Sequence, residues 1–345
     1  MAQWLPLTTV LGPSPHACLQ RAPAAPCTPP TADWLSQIRG PCLKNTTPLF
    51  DVLTGVLSGL AAGALWGLVF IAPRMVPGLS AVDLTVGRFL SYGALSFVLL
   101  LVIRQSARPT LRQALSALCL SVLGFSGYYL LLVLAIRDAG TAVPSLIIGT
   151  IPIWMMLLGK PVGLRWAGLL PGLALTLPGL ALMIHAEGAA SIQGQDFWRG
   201  VAHALASMVC WTAFGLLNAA WLKHHPHISA TTWANWLGVA TGFGALAIWV
   251  AVGSDVNTLL AQPNRAQAAI ICIVTGIGSA WLATVLWNIA SQRLSASLCG
   301  QLIVSETLFA LFYSFVWDGH WPTLVQALAC ALFVAGIVAS IRAHR

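Results

Sequence analysis

Apolar residues run through the chain in ten long stretches, at approximately 52–73, 82–103, 115–135, 140–159, 165–184, 198–221, 231–252, 267–289, 295–317 and 323–341. A helix needs about 20 residues, at 1.5 Å each, to cross the hydrocarbon of a bilayer. Every stretch approaches or exceeds that length, and the connections are too short to hold a soluble catalytic domain. Residues 1–48 differ: they hold nine of the 20 prolines and no apolar run. They read as a disordered cytoplasmic N-terminal tail. The pattern predicts an all-α polytopic membrane protein with ten transmembrane helices.

The stretches repeat, five and five, over 50–185 and 197–341. GLAAGALWGLVF in the first matches HALASMVCWTAFGLL in the sixth, which sets Trp66 opposite Trp211. GRFLSYGAL matches ANWLGVATG, with Arg88 opposite Asn235, and Ala135 falls opposite Ala290. An odd number of crossings forces the second unit to enter the membrane from the other side. Two inverted five-helix repeats are therefore expected, the plan of alternating-access transporters with a site between the halves. Such sites use interrupted helices at matching places. Pro144, Gly149 and Pro152 interrupt the fourth stretch, and Gly300 precedes Glu306 in the ninth.

Polar residues inside the stretches mark the candidate cavity. Glu306 is the twelfth of 23 residues from Ser295 to Trp317, near the membrane midplane. A carboxyl group there is protonated, paired or turned toward a wet cavity, because an isolated charge costs about 2.5–3.5 kcal/mol to insert. Helical spacing sets Cys299, Ile303, Ala310 and Tyr313 on its face. In the second stretch Arg88 neighbours Tyr92, as a cavity-facing anion clamp, a helix partner or a side chain snorkelling to the surface. His203, Ser207, Trp211, Phe214 and Asn218 share one face of the sixth; Trp281, Thr284 and Asn288 share one of the eighth. The candidate substrate-lining set is Glu306, Arg88, Tyr92, Tyr313, Trp211, Asn218, Asn235, Trp281, Asn288, Pro144 and Pro152. Gly55, Gly59, Gly63 and Gly67 recur every fourth residue, a ridge for close helix packing.

Composition agrees with the pattern. Apolar residues make up 58%, charged residues 8%, and the mean hydropathy is +0.82, against about 25% charged in soluble domains. The net charge of +8 comes from basic residues scattered between stretches, which points away from nucleic acid. With the N-terminus cytoplasmic, that side collects twelve Lys and Arg and the other side four: Arg74, Arg137, Arg199 and Arg265. Both termini are therefore expected in the cytoplasm. Trp166, Trp198, Trp221, Trp233, Trp317 and Trp321 lie at stretch ends, as an interfacial belt would. The eight cysteines include no CxxC, and His224, His225 and His227 have no acidic or thiol neighbours in sequence, so neither a metal nor a cofactor is expected.

Short motifs then carry a family likeness. They are Gly-Ala-Leu-Trp-Gly (63–67), Gly-Arg-Phe (87–89), Ala-Gly-Thr-Ala (139–142), Ile-Pro (151–152), Ser-Glu-Thr-Leu-Phe (305–309) and Val-Ala-Gly-Ile (334–337). Over about 50–341 the chain resembles the drug/metabolite transporter superfamily, in its ten-helix form with two EamA domains. Where that family commonly has Glu-Pro, this chain has Glu306-Thr307. The resemblance implies passage of amino acids, drugs, nucleosides or other small metabolites without naming one.

The expected function is secondary transport of a small metabolite such as an amino acid, amine or drug across the inner (plasma) membrane, with export the expected direction. A proton could cycle through Glu306, and the unit would be a monomer or homodimer. The alternative is a membrane enzyme or scaffold acting on a lipid-linked substrate. The stretches offer it Glu306, His203 and Arg88, but no paired carboxylates, HExxH, GxSxG or ATP-binding loop.

Overall fold

The computed structural model describes residues 49–103, 108–139, 144, 147–162, 164–187, 196–319 and 321–344; the tail expected at 1–48 lies outside them. The described residues form helices throughout. We number them α1 (Leu49–Gly67, extended by short turns to Met75), α2 (Ala81–Val102), α3 (Leu111–Ala139), α4 (Ile151–Leu158) and α5 (Leu170–Glu187). The second half holds α6 (Phe197–His224), α7 (Ala230–Val252), α8 (Arg265–Arg293), α9 (Ala296–Asp318) and α10 (Leu324–Ala343). Eight helices among the described residues are long and apolar enough to cross a membrane. The two below that threshold are α4, which has 8 residues, and α5, whose apolar segment is Leu170–Leu182.

Local chemistry sets the helix ends. Ser80 and Ser229 cap α2 and α7 by accepting from the backbone N–H of Asp83 and Thr232, at 3.0 and 3.1 Å. Thr323 and Gln326 form a reciprocal capping box on α10. Gly319 ends α9 in the left-handed region at φ 65°, a conformation that glycine adopts without the cost a Cβ would bring.

The repeat is visible in the packing. Gly93 of α2 and Gly242 of α7 meet backbone to backbone, so close that a Cβ on Gly93 would lie 2.7 Å from Gly242 Cα. The matching caps and this glycine pair both put Arg88 opposite Leu237. The pairing with Asn235 read from the sequence is therefore two residues out of register; short apolar motifs align almost as well when shifted. Helices α1 with α8, and α3 with α6, form equivalent contacts: Gly55 abuts Arg293 and Leu294, and Gly200 abuts Asp138 and Ala139. The halves are also inverted. The start of α1 lies on the end of α8, and Asn218 near the end of α6 donates to Asn288 near that same end at 3.1 Å. The start of α1 and the end of α6 thus share one side, so these matched helices run in opposite directions.

Both α3 and α8 contain a wide π-helical turn, at Val122–Ser126 and Gly276–Leu282. The two sit at matching places in the repeats. Gly276 brings α8 against the backbone of Arg88 and Ser91 Cβ, and Ser126 presses α3 against Gly244 of α7. Such turns recur at functional sites in other proteins.

One expectation fails. Gly300 does not interrupt α9, which is continuous from Ala296 to Asp318. The glycine removes a side chain instead: a Cβ there would meet Met155 Cβ at 2.5 Å, so its role is to seat α4. In the first repeat the chain does break, with a turn at Gly149 and Thr150 before α4. Pro152 lies in the first turn of α4, where its missing N–H costs no helical hydrogen bond. The interruption is one-sided.

Candidate functional site

The glycine ridge positions α9. Gly59 faces Leu302, Gly63 faces Ser305 and the backbone nitrogen of Glu306, and Gly67 faces Phe309 and the Ala310 backbone. Cysteine and isoleucine at 299 and 303 are buried with every other residue from Ala296 to Ser305. At Glu306 the helix changes character, and the residues beyond it are only partly covered or exposed. Glu306 is the first side chain past the sealed half of its helix. Its carboxyl group makes no hydrogen bond or ion pair among the described residues.

Two groups from the first repeat lie near Glu306 without bonding to it. They are the guanidinium of Arg88 on α2 and the phenol of Tyr128, two residues past the π-helical turn of α3. No ion pair within 4.0 Å joins Arg88 to Glu306. The guanidinium lies over the Phe89 ring at 4.8 Å, a cation–π contact, and its Nε is buried without a hydrogen-bond partner. Trp66, Trp211 and Trp287 form a cluster with ring centroids 5.3–6.2 Å apart, in which Trp287 is buried and Trp66 and Trp211 are half-covered. The stretch of α1 carrying Trp66 is the one that packs on Ser305–Ala310. An acid, a cation, a phenol and indole faces can hold a small polar or amphipathic molecule by charge, hydrogen bonds and ring contact.

The other sequence candidates divide. Trp211 belongs to the cluster, and half-covered Tyr313 stacks on Phe309 at 6.2 Å along the open half of α9. Tyr92 is fully buried and donates to the Ala234 carbonyl at 2.7 Å, which ties α2 to α7. Asn218 is fully buried too: it accepts from Trp233 Nε1 at 2.7 Å and donates to Asn288, whose own amide donates to Ala230 O at 3.3 Å. Asn235 accepts from Trp281 Nε1 at 2.8 Å. These polar residues hold α6, α7 and α8 together and do not reach Glu306 through any hydrogen bond. Pro144 and Pro152 are buried. Trp233 leaves the expected interfacial belt, because it is fully buried and stacked on Trp221 at 3.5 Å, whereas Trp166, Trp198, Trp317 and Trp321 are exposed.

Tyr128, Trp66 and Trp287 were not among the sequence candidates. A signal for Tyr128 existed: the chain has four tyrosines, and two of them stand side by side after Gly127 inside an apolar stretch.

Charged groups gather at the end of α3. The Asp138 carboxylate accepts from Arg199 Nε at 2.8 Å and Arg137 Nε at 3.0 Å, with His203 Nδ1 3.4 Å away. Asp83, at the start of α2, accepts from the Ser254 backbone N–H and hydroxyl just past α7, at 2.9 and 2.7 Å.

Comparisons with known proteins agree with this architecture. The model of the EamA-like transporter family matches twice, at residues 53–183 and 198–342. The chain is similar to the inner membrane protein YtfF of Escherichia coli (strain K12), 32% identical over 311 residues, covering 85% of this chain and 96% of that protein. It is also similar to the uncharacterized transporter YdfC of Bacillus subtilis (strain 168), 23% identical over 274 residues, covering 79% and 86%. A crystal structure superposes with a TM-score of 0.69 at 19% identity, covering 83% of this chain and 97% of that one, which speaks to fold alone. Two family matches in tandem, on a chain whose helices pair across an inverted repeat, make it a member of the EamA-like transporter family.

Proposed function

We propose that the chain is a secondary transporter with ten membrane crossings, which moves a small polar or amphipathic metabolite by alternating access. Its substrate would sit among Glu306, Arg88, Tyr128 and the half-covered Trp66 and Trp211, and the two repeats would rock about it. The observation that supports this most is the change along α9. Ten residues are sealed, then an acid without a bonding partner begins the open half. A carboxyl group that only packed helices together would be expected to bond to a neighbouring helix.

The bias of basic residues favours both termini in the cytoplasm, and the likeness to a protein named for the inner membrane favours that location. Export is the proposed direction, with protons carried through Glu306, by a monomer or homodimer. The test is purified protein in liposomes, screened with amino acids, amines and drugs under a substrate or pH gradient. Gradient-driven flux supports the reading. Chemical turnover of a lipid-linked substrate without flux would replace it with the membrane-enzyme alternative.

A further inference from the structure

Beside Arg88, on the side of α2 that meets the extension of α1, lies a cavity of about 90 Å³. Val69, Pro73 and Leu84 supply apolar wall, and Thr85, Arg88, Tyr129 and Thr275 supply its polar groups. Thr85 is three residues before Arg88 and so shares its helix face. Two of the hydroxyls are already committed: Tyr129 donates to Ala81 O at 2.7 Å and Thr275 to Ile271 O at 2.6 Å. The Thr85 hydroxyl stands beside the Tyr129 phenol, and the Arg88 guanidinium, with Nε buried and unbonded among the described residues, is the uncommitted donor.

Arginine keeps its charge under all physiological conditions. A cation at this depth needs an anion or a full set of acceptors. Among the described residues Arg88 touches neither: Glu306 is beyond ion-pair distance, and Nε is buried without an acceptor. Asp83, one turn earlier, spends both carboxylate oxygens on Ser80 and Ser254. The neighbouring helices contribute hydroxyls and Cys272 but no further acid.

We propose that this cavity binds a small monovalent inorganic anion, a halide, held by the Arg88 guanidinium and the Thr85 hydroxyl. Size supports that class. About 90 Å³ is room for a halide with water beside it. Organic ligands occupy pockets of about 300 Å³ or more. One positive charge matches one negative charge, and the apolar walls suit a weakly hydrated ion better than a multivalent oxyanion.

The test is binding to the purified full chain in detergent with no transported solute present, so its outcome is separate from that of the transport reading. Thermal unfolding is followed as sodium chloride replaces sodium gluconate at constant ionic strength. The midpoint of the wild type should rise and saturate with chloride, because a ligand of the folded state stabilises it. Arg88→Gln should show no rise. Thr85→Val, which keeps the cation and the shape, should raise the half-saturating chloride concentration about tenfold, as loss of one hydrogen bond to an ion would. Bromide soaked into crystals should give an anomalous peak between Arg88 and Thr85. Equal midpoints in chloride and gluconate, an undiminished response in Arg88→Gln, or a bromide peak elsewhere would each overturn the site. If Arg88→Gln does not fold, Thr85→Val and the bromide position decide.

Discussion

The Asp138 carboxylate and the Arg199 guanidinium meet in a two-point contact, 2.8 Å from Nε and 3.2 Å from Nη2, at the junction of α3 and α6. The repeat places a second junction at the opposite end, where α8 meets α1. There the charges are exchanged, and Arg293 stands 4.0 Å from Asp51. One strut is closed and its counterpart is loose.

Asp138→Asn and Arg199→Gln should therefore each lower stability, and the double variant should lose less than the sum of the two. Arg293→Gln should change stability by less than about 0.5 kcal/mol, because its partner is distant and half-exposed. Denaturation in detergent checks both. Strict additivity of the first pair would mean that the contact carries no coupling energy.

The glycine ridge makes a graded expectation. A Cβ on Gly63 would land on Ser305 Oγ, with the Glu306 backbone at 3.2 Å, so Gly63→Ala should cost about 1–3 kcal/mol. Gly59→Ala should cost less, since what it meets is the flexible end of Leu302. Leucine at either position should prevent folding. Gly278 has nothing within 4 Å of an added Cβ, and its alanine variant should stay within about 0.5 kcal/mol of wild type.

Asn218→Ala would leave Trp233 Nε1 and the Asn288 carbonyl oxygen buried without their partner. The expected loss is about 1–3 kcal/mol, with the greater part showing as faster unfolding of the α6–α7–α8 side. Retention of wild-type stability would mean that water replaces the amide.

How far the sequence carries can be judged from these residues. The eight long apolar helices and the two-repeat plan follow from apolar run length and period, which report on burial in lipid. Tyr92 and Asn218 were indistinguishable from cavity residues because a polar group inside a membrane helix looks the same in sequence whether it faces water or a neighbour's carbonyl. Which face a helix turns inward is fixed by tertiary packing, and the π-helical turns shift that face partway along α3 and α8. Gly300 misled for a related reason: a missing side chain can break a helix or admit a neighbour, and only Met155 decides.

Glu306→Gln keeps the shape of the side chain and cannot ionise. It should fold normally and abolish the pH dependence of transport in liposomes, while Glu306→Ala should lose transport. Tyr128→Phe, which removes only a hydroxyl, should lower transport about tenfold while leaving the midpoint of unfolding unchanged, if the phenol bonds to the substrate. A wild-type rate and pH profile in Glu306→Gln would reduce the acid to a packing residue.

The π-helical turn at Val122–Ser126 has one more consequence. Such a turn holds one residue beyond what the α-helical path requires, and the helix on either side keeps its register. Removing one residue inside it should relax the bulge to a plain α-helix while the Ser121 hydroxyl keeps its 2.9 Å hydrogen bond with the Thr241 hydroxyl of α7 and Tyr128 still points as before. The same deletion a turn later, past Tyr128, would swing everything downstream by about 100° and tear Asp138 from Arg199. Along this helix, tolerance to losing a residue is itself a map of where the slack was stored.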